Sequence, residues 1–179
     1  VRLFLVAFLI AQTASAYEVA FLEVRDARGN LVQLEKNGQF AHVAIRARGL
    51  WLHAHPYRGV ELVSQDVLER TGTLKLIVTT PGPAEPGDEV ISQFLGKPYD
   101  HDYTWGDDKI YCSELVAKIL HLQPEKMKFA GEVWKNQIHR PQNQLGLSPD
   151  DLFSFFRRRG DPIHRPVNAC SKFLNADED

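Results

Sequence analysis

The alternation of apolar and polar positions changes rhythm about halfway along the chain. Up to residue 79 the apolar segments are short and separated by turn-forming residues, and six of them read as strands: 18–24, 31–35, 40–46, 50–54, 59–63 and 74–79. The cluster 26–30, the pair Asn37-Gly38 and the pair Arg48-Gly49 mark the turns between them. Asn37-Gly38 is the strongest hairpin signal, because both central positions of such a turn need positive φ. The proline-rich stretch 80–86 ends this half as a stiff surface loop. Beyond it the period lengthens. Residues 87–95 predict a helix closed by Gly96, and 113–122 predict another, with Leu115, Val116, Ile119 and Leu120 on one face. Ser148-Pro149-Asp150-Asp151 reads as a helix start: a Ser cap, Pro at the first helical position, then acids that suit the helix dipole. Leu152, Phe155 and Phe156 form that helix's buried side, and Arg157, Arg158 and Arg159 fall in its last turn, where cations are favoured. Strands followed by helices predict one α+β domain over residues 17–179, an antiparallel sheet or partial barrel first and helices after.

The first sixteen residues follow another logic. Arg2, the apolar run 3–10 and the small residues Ala14-Ser15-Ala16 have the order of a secretory signal peptide cut before Tyr17. The run is too short to span a bilayer. The expectation is an exported protein, periplasmic or secreted, with no transmembrane anchor in the mature chain. A formal net charge of −2 does not suit a nucleic-acid partner. Export changes how the two cysteines, Cys112 and Cys170, are read, since a disulfide is the first expectation for a pair of cysteines outside the cytoplasm. A secreted, non-catalytic binding domain stapled by Cys112–Cys170 is therefore one reading.

The other reading starts from where Cys112 sits, at the predicted start of a helix. Unpaired amides and the dipole there favour a thiolate, which is the attacking form, and the same amides suit an oxyanion. A cysteine nucleophile needs an imidazole. His42 lies in one predicted strand and His53 in the next, so a short turn makes them neighbours. His42 then takes the thiol proton and His53 fixes its tautomer. Tyr99, Asp100, Tyr111, Ser113 and Glu114 surround the cysteine in sequence and are the candidate substrate-binding or supporting residues. Glu114 reads equally as a cleft residue or as an acid suited to a first helical turn. A metal site on His53, His55 and His42 is a third reading, but no coherent carboxylate or cysteine set accompanies it, so neither metal nor other cofactor is expected.

Tyr111-Cys-Ser-Glu-Leu-Val116 resembles the cysteine motif of NlpC-type papain-like hydrolases, in the circularly permuted YiiX/YebB-like branch. Ala41-His-Val-Ala-Ile45 resembles that branch's histidine strand, Leu52-His-Ala54 the strand of the third polar residue, and Gly96-Lys-Pro-Tyr-Asp100 the approach to the cysteine. The likeness runs over residues 38–156 and keeps the branch's order of histidine strand before cysteine helix. It implies a papain-like fold and a cysteine peptidase or amidase acting through an acyl-enzyme on Cys112, without metal. Many members carry a carboxylate where His53 stands, so His55 and Glu61 remain open for the third role. Relatives of this kind act on cell-wall peptides or on lipid acyl groups. The expected partner is thus a peptide-like or acyl substrate, with peptidoglycan the first candidate and a lipid or ester the alternative.

Overall fold

The computed structural model describes residues 16–134, 141 and 143–166. The predicted leader, apart from Ala16, and Cys170 lie outside the described residues.

Eight strands and four helices follow one another as β1 (Ala16–Glu23), β2 (His42–Ala47), β3 (Leu50–His55), β4 (Gly59–Val63), α1 (Gln65–Leu68), β5 (Thr73–Pro81), α2 (Asp88–Phe94), α3 (Cys112–Ile119), β6 (Glu125–Lys126), β7 (Leu145–Gly146), α4 (Pro149–Arg159) and β8 (Ile163–His164). Six of the strands form one sheet in the order β4-β3-β2-β1-β5-β8, and every neighbouring pair is antiparallel. Strands β6 and β7 make a separate two-stranded ribbon.

Both faces of the sheet are covered, which explains why β1 reads as a continuous apolar run instead of an alternating one. Val19 and Phe21 point into a core shared with α2, α3 and α4, where Ile91, Leu115, Val116, Leu152 and Phe156 are buried. Ala20 and Leu22 point the other way, onto Trp51 and onto Leu68 of α1. Helix α3 is buried along nearly its whole length, including its polar first turn. One apolar face accounts for only part of that burial, since α3 lies between the sheet and α4 and also closes against the segment 98–111.

The predicted strands at 18–24, 40–46, 50–54, 59–63 and 74–79 match β1 to β5 to within a few residues, and β4 matches end to end. The segment 31–35 differs. It makes only an isolated bridge, Arg25 to Leu31, and Asn37-Gly38 joins no hairpin. Asn37 does take positive φ, at 62°. The donors beyond the turn go elsewhere: the Gln39 and Phe40 amides both donate to Asp150 Oδ1, at 2.9 and 3.3 Å. A carboxylate on the first turn of α4 thus replaces a strand partner. Gly38 is needed for space, since a Cβ there would meet Asp150 Oδ2 at 2.5 Å. The expected partial barrel is an open sheet, with β4 and β8 at its edges among the described residues. A strand after the last helix was not expected; β8 is two residues long, too short to show a pattern of its own.

Candidate active site

The site begins as a chain of polar groups across three adjacent strands. His42 opens β2 and His53 lies in β3; their Nε2 and Nδ1 atoms are 2.8 Å apart. In the β3–β4 register His53 stands opposite Glu61, and its Nε2 is 3.2 Å from Glu61 Oε1. Arg58, at the turn into β4, donates to both oxygens of Glu61 through Nε, at 2.9 and 3.0 Å, and through Nη2 to Oε1 at 2.6 Å. Both imidazoles are buried, whereas Glu61 and Arg58 reach solvent.

This order fixes the protons. The Arg58 guanidinium holds the Glu61 carboxyl below its usual range, so Glu61 is an acceptor. His53 Nε2 must then carry a hydrogen and donate to it. Burial pulls His53 down to about 4, against the pull of Glu61, so the ring is neutral near pH 7 and its Nδ1 accepts. His42 Nε2 is left to donate to that Nδ1. Burial, then the neighbouring imidazoles of His53 and His55, also keep His42 well below its ordinary value. A neutral His42 that donates from Nε2 carries its lone pair on Nδ1 and is ready to accept a proton there.

Cys112 is the first residue of α3 and is a free, buried thiol. The Val43 amide, next to His42 on β2, and the Ser113 and Cys112 amides all favour its thiolate. The helix start nevertheless does not lower the thiol pKa, contrary to the expectation from the sequence. Burial pushes it up to about 11, more than these amides pull it down. The pair at rest is a thiol and a neutral imidazole.

The other sequence candidates divide into two groups. Tyr99 is half-buried on the wall of a cleft that also contains His42. Asp100, Tyr111, Ser113 and Glu114 are buried and do not line that cleft. Asp100 accepts from the Asp102 and Thr104 amides and from the Thr104 hydroxyl, which folds the loop before the cysteine. The Tyr111 hydroxyl accepts from the Leu147 amide at 3.2 Å and so ties the start of α3 to the approach to α4. Ser113 sits near enough to Cys112 to favour the thiolate slightly, although its Oγ completes no hydrogen bond. Glu114 accepts from the Tyr111 and Gly106 amides and pairs with Lys118 at 3.0 Å. It holds the first turn of α3 closed from within, as an acid at that position of a helix does.

The cleft encloses about 500 Å³. His42 and His55 line it together with the exposed Tyr57 and Arg70 and the aromatic side chains Tyr99, Tyr103 and Trp134. Arg58 and Arg70 escaped sequence reasoning. Arg58 could have been found as the charge three residues before Glu61 across a glycine turn; Arg70 has no such signal. His42, His53 and His55 do not converge on a common point: among the described residues no group of three or more His, Cys, Asp or Glu is placed to hold a metal ion.

A sheet carrying paired histidines, followed by a buried helix that opens on cysteine, is the permuted papain-like arrangement. The chain belongs to the permuted papain-like amidase family, YaeF/YiiX, C92, whose model matches residues 53–154. That match takes in His53, Glu61 and Cys112 and begins after His42. A stretch of 31 residues is 48% identical to the uncharacterized protein YiiX of Escherichia coli strain K12, covering 17% of this chain and 15% of that protein. The crystal structure of metalloprotein yiiX from Escherichia coli O157:H7 has the same fold, with a TM-score of 0.57 at 18% identity over 87% of this chain and 98% of that one.

Proposed function

We propose that this protein is a cysteine amidase in which Cys112 attacks, His42 moves the proton and His53 orients His42. The observation that carries the reading is the His42–His53–Glu61 chain, which leaves the His42 lone pair on Nδ1, one residue before Val43, whose amide favours the thiolate of the free Cys112. Because thiol and imidazole are both neutral at rest, proton transfer accompanies attack instead of preceding it. The Cys112 proton passes to His42 Nδ1 as the sulfur bonds to the substrate carbonyl. The oxyanion is met by amides of the first turn of α3 and by the Tyr99 hydroxyl. The proton on His42 goes to the departing amine as the C–N bond breaks, leaving a thioester on Cys112. Water then attacks, His42 again takes its proton, and the carboxylic acid leaves as the thiol is restored. Glu61 and Arg58 hold His53 in the tautomer this sequence requires.

The substrate is an amide of peptide or acyl type. Cell-wall peptide is the first candidate, because residues 1–16 have signal-peptide order and the protein is proposed to act outside the cytoplasm. Among the described residues no helix is long and apolar enough to cross a membrane. The deciding experiment offers an electrophilic acyl probe to native protein and reads the adduct by mass spectrometry. Cys112 should carry the label, and His42→Ala should label far more slowly at pH 7. Hydrolysis that persists undiminished in Cys112→Ala overturns the proposal.

A further inference from the structure

The walls of the cleft beside His42 have a one-sided charge. Among the described residues that line it there is no aspartate and no glutamate, although the whole chain carries 23 acids against 21 Lys and Arg. Its ionisable lining is instead three imidazoles, a guanidinium and tyrosines. Two of the imidazoles, His42 and His55, are held below their ordinary pKa, chiefly by burial, so Arg70 is the standing positive charge. Arg70 also differs from its neighbours in having nothing to hold. Arg46 pairs with Glu18, Arg48 with Asp88 and Arg58 with Glu61, whereas the Arg70 guanidinium makes no hydrogen bond or ion pair among the described residues. It feels Asp66 only at a distance, and Asp66 is occupied by the Ser64 hydroxyl. Tyr57, which lines the same cleft, stands 92% exposed, with its ring 5.9 Å from that of His55.

We propose that Arg70 is a specificity-determining residue, selecting amide substrates that carry an anionic oxygen group, carboxylate or phosphate, on an aromatic or apolar body. This rests on the amidase reading for its chemistry, though not for its binding. A planar guanidinium engages two oxygens of such a group at once, and an acid-free wall adds no repulsion. The aromatic wall of Tyr99, Tyr103 and Trp134 takes the body of the substrate, and Tyr57 closes over it from the rim. A neutral or cationic amide of the same shape gains nothing from Arg70 and leaves it without a partner.

The test separates binding from turnover. Cys112→Ala protein, which cannot turn over, is titrated with N-benzoylglycine, its methyl amide and phenyl phosphate, read by calorimetry and by intrinsic tryptophan fluorescence. The free acid should bind at least tenfold tighter than the methyl amide, and Arg70→Gln should erase that difference while leaving the methyl amide unchanged. Relative affinities of the acid and of phenyl phosphate decide which anion the site prefers. Equal binding of acid and methyl amide, or an acid preference that survives in Arg70→Gln, overturns the proposal. In the wild-type background, Arg70→Glu should move the kcat/KM preference from anionic toward cationic amides. If the binding difference is present but no amide is turned over, the amidase reading fails and the anion site stands. If amides are turned over with no charge preference, the reverse holds.

Discussion

Two helices in this molecule begin with the same device and end in different chemistry. At the start of α3, Glu114 reaches back to the Tyr111 amide; at the start of α4, Asp151 reaches back to the Ser148 amide at 3.0 Å while Ser148 Oγ accepts from the Asp151 amide at 2.9 Å. Each start also has an acid raised to about 7, mainly by burial: the fully buried Glu114 at α3 and the half-buried Glu35 at α4. The company they keep differs. Glu114 is answered by Lys118, itself braced by Asp107. Glu35 accepts from the Ser148 hydroxyl and is pushed up further by two neighbouring acids, Asp151 and Asp150. The α3 start is thus a neutralised, dry platform for Cys112. The α4 start is an acidic clasp on the loop that leads into His42. A helix N-terminus does not by itself activate a thiol; how thoroughly it is dried decides the sign.

The largest expected effect tests that sign. In substrate-free protein, alkylation of Cys112 by iodoacetamide should be slow at pH 7. It should then rise about tenfold per pH unit toward a plateau near 11, because only the thiolate reacts and burial holds its pKa there. A plateau already reached below pH 8 would restore the helix-dipole view and remove the contrast.

Breaking the α3 start comes next. Glu114→Ala leaves Lys118 half-paired and frees the Gly106 and Tyr111 amides in a buried place. It should cost about 2–3 kcal/mol by urea denaturation and lower turnover as the first turn of α3 loosens. Ser148→Ala removes the cap of α4 and should cost only about 1 kcal/mol, with kcat unchanged. Equal losses of activity in the two variants would mean that the ends are not specialised.

The last test is a pH dependence. Glu35 titrates near 4.5 unfolded and near 7 folded, so the folded state holds its proton more tightly. Its contribution to stability is full below about 4.5 and is lost as pH rises through 7. Glu35→Gln keeps a partner for Ser148 and cannot ionise. The Tm of the variant minus that of wild type should therefore grow between pH 4.5 and 7 and then level off. The difference curve is the one to read, because Glu114 shifts in the same direction in both proteins.

Several parts of this could be read from the sequence, for identifiable reasons. The helix α4 was legible because its signals are local: a Ser cap, Pro149, paired acids, an arginine-rich last turn and Gly160 at φ 78°. The His42–His53 contact was legible because a tight turn at Arg48-Gly49 constrains which strands pair. Glu61 was seen only as a substitute for His53, whereas it stands behind it; a sequence offers candidates for one role but does not show that two can act in series. The hairpin at Asn37-Gly38 was misread because the Gln39 and Phe40 amides beyond it go to Asp150, 110 residues or more away. The direction of the Cys112 shift was missed for a related reason: burial is a property of everything packed around α3, and no local motif reports it.

The polar chain has one more consequence, which concerns order in time. His42, His53, Arg58 and Glu61 all come from one short run of the chain, folded as successive hairpins, and their contacts span only eleven, eight and three residues. Cys112 arrives much later. During synthesis from the N-terminus, the proton-handling half of the site can assemble while the nucleophile is still unmade. On the proposed mechanism, the nascent chain then carries the hydrogen-bonded histidine pair before the cysteine it would deprotonate. On the same mechanism, reactivity waits until α3 docks, a long-range step that brings in the cysteine.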